Sequence, residues 1–205
     1  MYKKAIKLYL PAGVALHPRV RSLLRRCLAA LLISVAPAGA AMADGFVINH
    51  AELVLNDKVY QLNANLEFDF SNDVLEAINN GVPLVLELVI EIYEPRRFWW
   101  DSEIAALGQR YQLQYHALSD QYLVRNLNSG AQYTYFSLSA ALQKIGNVSN
   151  LPVIDEQLLQ DKETEKYYAR IRTSLSFDNL PLPLKIDAWT SRSWWLGSEW
   201  IELNL

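Results

Sequence analysis

The sequence predicts an all-β fold, an antiparallel two-layer sandwich with two short helices. Three observations lead there. Residues 62–70 alternate apolar and polar side chains with period two, the pattern of a strand with one wet face. Several short apolar runs follow, each bounded by turn residues. Two stretches open on a serine and close on a glycine, as short capped helices do. Strands at this spacing build two packed layers.

The elements follow in chain order. Leu53-Val54-Leu55, Asn56-Asp57 and then Val59 to Phe70 read as a hairpin. In its second arm Leu62, Ala64, Leu66, Phe68 and Phe70 share one side, and Asn63, Asn65, Glu67 and Asp69 the other. Ser71 caps a helix from Asn72 to Asn80, which Gly81 stops. After Pro83, Leu84, Leu86, Leu88, Ile90 and Ile92 form an inward face. Val85, Glu87, Val89 and Glu91 form a half-wet one. Strands follow at 111–118 and 121–126. Asn128-Ser129-Gly130 turns the chain into a strand over 132–136. Ser137 caps the second helix, Leu138 to Ile145, ended by Gly146. Late strands run through 167–177, with Tyr167, Ala169, Ile171, Thr173, Leu175 and Phe177 inward, then 184–189 and 200–203. The order strand, Ser-capped helix, Gly, strand occurs twice, at 60–92 and 131–154.

The charge is divided unevenly. Of 205 residues, the first 43 carry 7 of the 19 basic groups and none of the 22 acidic ones. Residues 44–205 are therefore at −10. An acidic body argues against nucleic acid as a partner, because phosphate binding needs a basic face. The basic leader ends at Arg25-Arg26, an apolar stretch runs from Cys27 to Val35, and Ala41-Met42-Ala43 fits the small-residue cleavage rule. The leader thus reads as an export signal cleaved before Asp44, with Ala38-Gly39-Ala40 the competing site. A retained membrane anchor is the rival reading. Pro37 and Gly39 interrupt the apolar stretch, which falls short of the roughly 20 residues that span a bilayer. The single cysteine lies in the leader, so a chain from Asp44 has neither a thiol nor a disulfide. Its core alone must hold it, and a domain of roughly 150 residues buries close to 70% of its unfolded surface.

The densest chemical feature is Arg96-Arg97-Phe98-Trp99-Trp100-Asp101. Tryptophan faces flanked by arginine stack on rings or hold a partner segment. The alternative is a structural plug at one end of the sandwich. Adjacent strand residues point to opposite faces, so Trp99 and Trp100 cannot both be inward on a strand. Pro95 cannot donate to a central ladder. The strand therefore stops at Glu94, and residues 96–101 turn over the end of the sheet. Arg96, Arg97, Trp99 and Trp100 are the binding residues this reading selects. Trp189, Trp194, Trp195 and Trp200 form a second aromatic group, read chiefly as structural.

Other chemistry is thin. His50 and His116 lack a metal-binding spacing, and no cofactor is expected. The acidic pairs Glu67 and Asp69, Glu87 and Glu91, and Asp155 and Glu156 fit solvated faces. The charged run 161–166 reads as a loop. Nucleophile elbows and phosphate-cradling loops are missing from the sequence, so an enzyme is not expected.

One resemblance adds to this. Asn80-Gly81-Val82-Pro83-Leu84, the run Arg96 to Trp100, Tyr115-His116-Ala117-Leu118, Gln121-Tyr122, Val124, Leu180-Pro181, Pro183-Leu184 and the terminal tryptophans resemble the proteobacterial domain of unknown function 4390 family, over residues 46–205. Phe98 replaces a more usual tryptophan, and Leu182 stands where a basic residue is common. The resemblance implies a secreted or periplasmic bacterial protein whose gene neighbours often include a two-component sensor kinase. It carries no activity, cofactor or catalytic residue. The expected function is a non-catalytic binding module of the envelope. Its partner would be another envelope protein, such as a sensor's outer domain, and membrane contact is expected only through the leader. A glycan- or lipid-binding domain is the alternative, and a carboxylate-based hydrolase ranks last.

Overall fold

A computed structural model describes residues 45–98, 100–159 and 167–205. The export signal, Trp99 and the charged run 161–166 lie outside the described residues. The nine strands are β1 (Phe46–Asn56), β2 (Val59–Phe68), β3 (Leu84–Glu94), β4 (Ser102–His116), β5 (Gln121–Asn126), β6 (Gln132–Tyr135), β7 (Asn147–Asp155), β8 (Tyr168–Ser176) and β9 (Ile201–Asn204). The helices are α1 (Asn72–Asn79), α2 (Leu138–Gly146) and α3 (Leu182–Thr190). All pairings are antiparallel. One sheet has the order β1-β2-β7, and the other β6-β5-β4-β3-β8-β9.

Each Ser-capped helix carries the chain from one sheet to the other: α1 joins β2 to β3, and α2 joins β6 to β7. The hydroxyl of Ser71 accepts from the Val74 N–H, and that of Ser137 from Ala140. Each satisfies a first-turn donor that has no helical partner. The glycines differ in role. Gly81 takes a φ of +76° and ends α1 as expected. Gly146 is the last residue of α2, and a methyl group there would collide with the carbonyl oxygen of Leu66. It is glycine because two backbones touch.

The core lies between the sheets. Leu62, Leu66 and Phe68 of β2 face the same cluster as Leu86, Ile90, Ile171 and Leu175. The inward faces expected of β2, β3 and β8 are thus observed. A second, smaller cluster of Tyr60, Ile92, Ile154, Leu159, Tyr167 and Ala169 fills the end near the β3–β4 connection.

Four expectations need correction. Three helices are present, because 184–189 is the body of α3, not a strand. Pro181 and Pro183 open this segment, and proline suits the first helical turn, where its missing N–H costs nothing. β4 begins at Ser102, nine residues before the expected strand, because Ala105, Ala106 and Gly108 carry little strand propensity. β1 begins at Phe46, well before Leu53. Val85, placed on a half-wet face, is buried between Gln112 and Ser176 of the neighbouring strands.

Candidate functional site

The β3–β4 connection is built from its two ends. Glu94 pairs with Ser102, and Pro95 then ends the ladder. Asp101 fastens the turn: one carboxylate oxygen accepts the Arg96 N–H at 3.1 Å, and the other accepts the Tyr168 hydroxyl at 2.7 Å. The loop base is thereby tied to the start of β8. These bonds hold the Asp101 carboxyl below its ordinary pKa, the Tyr168 hydroxyl being the larger cause. The same bond, with burial adding to it, pushes Tyr168 up from 10.0 to about 12.

Above this fixed base the side chains reach into solvent. Phe98 is 84% exposed and Trp100 is 92% exposed. Arg96 and Arg97 are also exposed, and the Arg97 guanidinium stands 5.9 Å from the centre of the Phe98 ring. Among the described residues neither guanidinium forms an ion pair. The link to Asp101 runs through the Arg96 backbone. The structure thus brings together Arg96, Arg97 and Trp100 of the expected site and adds Phe98.

A braced platform adjoins the loop on the outer face of the larger sheet. Tyr93 and Tyr168 stack at 5.5 Å with 16° between their planes. The Arg170 guanidinium lies 4.6 Å from both the Tyr93 and the Trp200 rings. It donates through Nε to Glu91 at 2.6 Å and through a terminal nitrogen to the Tyr93 hydroxyl at 2.8 Å. That hydroxyl in turn donates to Glu91 at 3.1 Å. Burial, and then the bond to Glu91, raises the Tyr93 pKa; the Glu91 bond raises that of Arg170. Glu91, Tyr93, Tyr168 and Arg170 escaped the sequence reading as a group. Their i, i+2 spacing on β3 and β8 shows that each pair shares a face, but the pairing that joins them spans 79 residues.

The remaining candidates lie apart from this loop. His50 is 3.8 Å from Glu52, and His116 is 3.2 Å from the Ser119 hydroxyl; both are exposed. Among the described residues no cluster of three His, Cys, Asp or Glu side chains is placed to hold a metal ion. Glu87 faces Arg110 at 3.8 Å, so Glu87 and Glu91 each meet an arginine rather than a common cleft. Two open clefts exist. One, of about 530 Å³, lies between the sheets beside Tyr111, Tyr135, Lys144 and Asn147. The other, of about 550 Å³, separates α1 from α3 and carries Asp73, Glu76 and Asp187. Trp194 is buried, whereas Trp189 and Trp195 are exposed.

The family described as Domain of unknown function (DUF4390) matches residues 43–204. The chain belongs to the DUF4390 family. That match covers every described element, from β1 to β9. Neither a curated protein nor a solved structure matches the chain.

Proposed function

We propose that this DUF4390 protein is a non-catalytic interaction module of the bacterial envelope. It engages another envelope protein, such as the outer domain of a sensor, through residues 96–101. The observation that carries this reading is the contrast within the loop: Asp101 pins the base by two hydrogen bonds, while Phe98 and Trp100 stand almost wholly in solvent. A fixed backbone lowers the ordering cost of association, and exposed aromatics beside arginine supply the side chains that dominate interface energies. End loops of sandwiches are common recognition sites. In a body of −10, Arg96 and Arg97 select an acidic or aromatic surface on the partner.

Export belongs to the same proposal. The protein recovered from the periplasm should begin at Asp44 or a few residues earlier by mass spectrometry. A membrane-retained chain that still carries residues 1–43 would contradict it. For the loop, Trp100→Ala should leave thermal stability unchanged while weakening partner binding by about 2 kcal/mol, or roughly thirtyfold. If Trp100→Ala and Phe98→Ala both unfold the domain, the loop is a structural plug.

A further inference from the structure

The other concentration of exposed apolar side chains lies at the far end of the sandwich. Tyr93 pairs with Tyr168 beside residues 96–101, whereas Val85 pairs with Ser176, from which the chain runs into α3. Leu182, Ile186 and Trp189 recur along α3 at i, i+4 and i+7 and are 77%, 60% and 60% exposed. They form one stripe. Ala188 is the buried residue of this helix. Trp195 extends the stripe: it is 63% exposed, and its ring N–H donates to the Ala188 carbonyl at 3.0 Å. A helix that turns leucine, isoleucine and tryptophan outward marks a contact surface.

We infer that this face of α3 is a membrane-interface site, seated in the headgroup region of an anionic phospholipid bilayer. Three features select lipid over a second protein. Tryptophan is the residue of the membrane–water boundary, with an apolar ring and one polar N–H. Cations stand at the rim: the Lys185 ammonium lies 5.8 Å from the centre of the Trp189 ring, and Arg192 is exposed. Both can reach phosphate while their stems cover apolar surface. The acidic Asp187 lines the cleft toward α1. Finally, the chain enters the domain at this edge. A methyl group built on Gly45 would lie 3.6 Å from Leu196 Cα, next to Trp195. The apolar stretch Cys27 to Val35 precedes Gly45 by only ten residues in sequence. Lipid contact at α3 goes beyond contact through the leader.

The test uses the protein purified from the envelope with the N-terminus it has there, mixed with vesicles of phosphatidylethanolamine and phosphatidylglycerol. Replacing the acyl chains by brominated ones quenches tryptophans that touch lipid. Trp189→Phe and Trp195→Phe should each remove about half of the quenched signal, since these two rings carry the boundary contact. Ile186→Ser, which alters no fluorophore, should also reduce it. Trp100→Phe, at the opposite end, should not. Equal quenching in all variants, or none in the wild type, overturns the inference. It is also overturned if, without lipid, protection of Trp189 from acrylamide rises with protein concentration, because the face would then join two copies of the chain.

Discussion

Gly146→Ala sets two physical effects against each other. Position 146 closes α2, and its φ is one that alanine adopts freely. Helix propensity alone would favour alanine by up to about 1 kcal/mol. Packing opposes it. The new methyl would meet the carbonyl oxygen of Leu66, with the Leu66 carbonyl carbon at 3.2 Å and the Phe68 ring edge at 3.4 Å. Leu66 lies on β2, the central strand of its sheet, so its backbone cannot swing aside. Forcing a methylene into such a site costs about 1–3 kcal/mol. A net loss of about 1–2 kcal/mol remains, which corresponds to a Tm lower by about 3–6 °C in a domain of this size. Urea unfolding followed by tryptophan fluorescence measures it. Gly130 supplies the contrast, because its φ of +77° disfavours a side chain although nothing lies within 4 Å. Asparagine tolerates that conformation. Gly130→Asn should therefore be milder than Gly130→Ala, and Gly146→Asn harsher than Gly146→Ala. A Gly146→Ala protein as stable as the wild type would refute the close approach of α2 to β2.

Three further outcomes are expected. Leu86→Ala or Ile171→Ala should each cost about 2–5 kcal/mol in denaturant unfolding, since both side chains are fully enclosed in the core between the sheets; losses well under 1 kcal/mol at both would reverse the assigned faces. Ser71→Ala should destabilise more than Ser137→Ala, within the roughly 0.5–2 kcal/mol of a lost cap. Ser71 also donates to the Ser193 carbonyl at 2.7 Å, whereas the second contact of Ser137 is only to the nearby Ser139 hydroxyl; equal losses would mean that the Ser193 link contributes nothing. In ultraviolet titration, Asp101→Asn should move Tyr168 from about 12 toward 10.0. The fold favours the neutral phenol, so this contribution to stability is complete below pH 10 and is lost as the pH rises toward 12. An unchanged tyrosine titration would remove the Asp101 bond from the loop base.

Much of the fold was legible because its signals are local. The alternation of β2 and β3, the two serine caps and the Asn128–Gly130 turn each follow from a few adjacent residues. The first half of β4 was not legible, because Ala105, Ala106 and Gly108 gain strand structure only by pairing with β3. α3 was misread because apolar residues at 184, 186 and 188 mimic a strand, whereas its exposed stripe runs through 182, 186 and 189. At the site, Pro95 revealed where β3 ends and therefore where the aromatic loop begins. The brace beneath the loop depends on which strand pairs with β3, and nothing near Glu91 in sequence announces Arg170.

The central claim is that residues 96–101 recognise a protein partner. Photo-crosslinking tests it most directly. Benzoylphenylalanine replaces Trp100 in cells that export the protein, and in a parallel strain replaces Leu118, which is 97% exposed at the opposite end of β4. The account predicts one discrete protein adduct from position 100, weakened by Arg96→Ala or Arg97→Ala, and no such adduct from position 118. No adduct at position 100, or the same adducts from both positions, would contradict it.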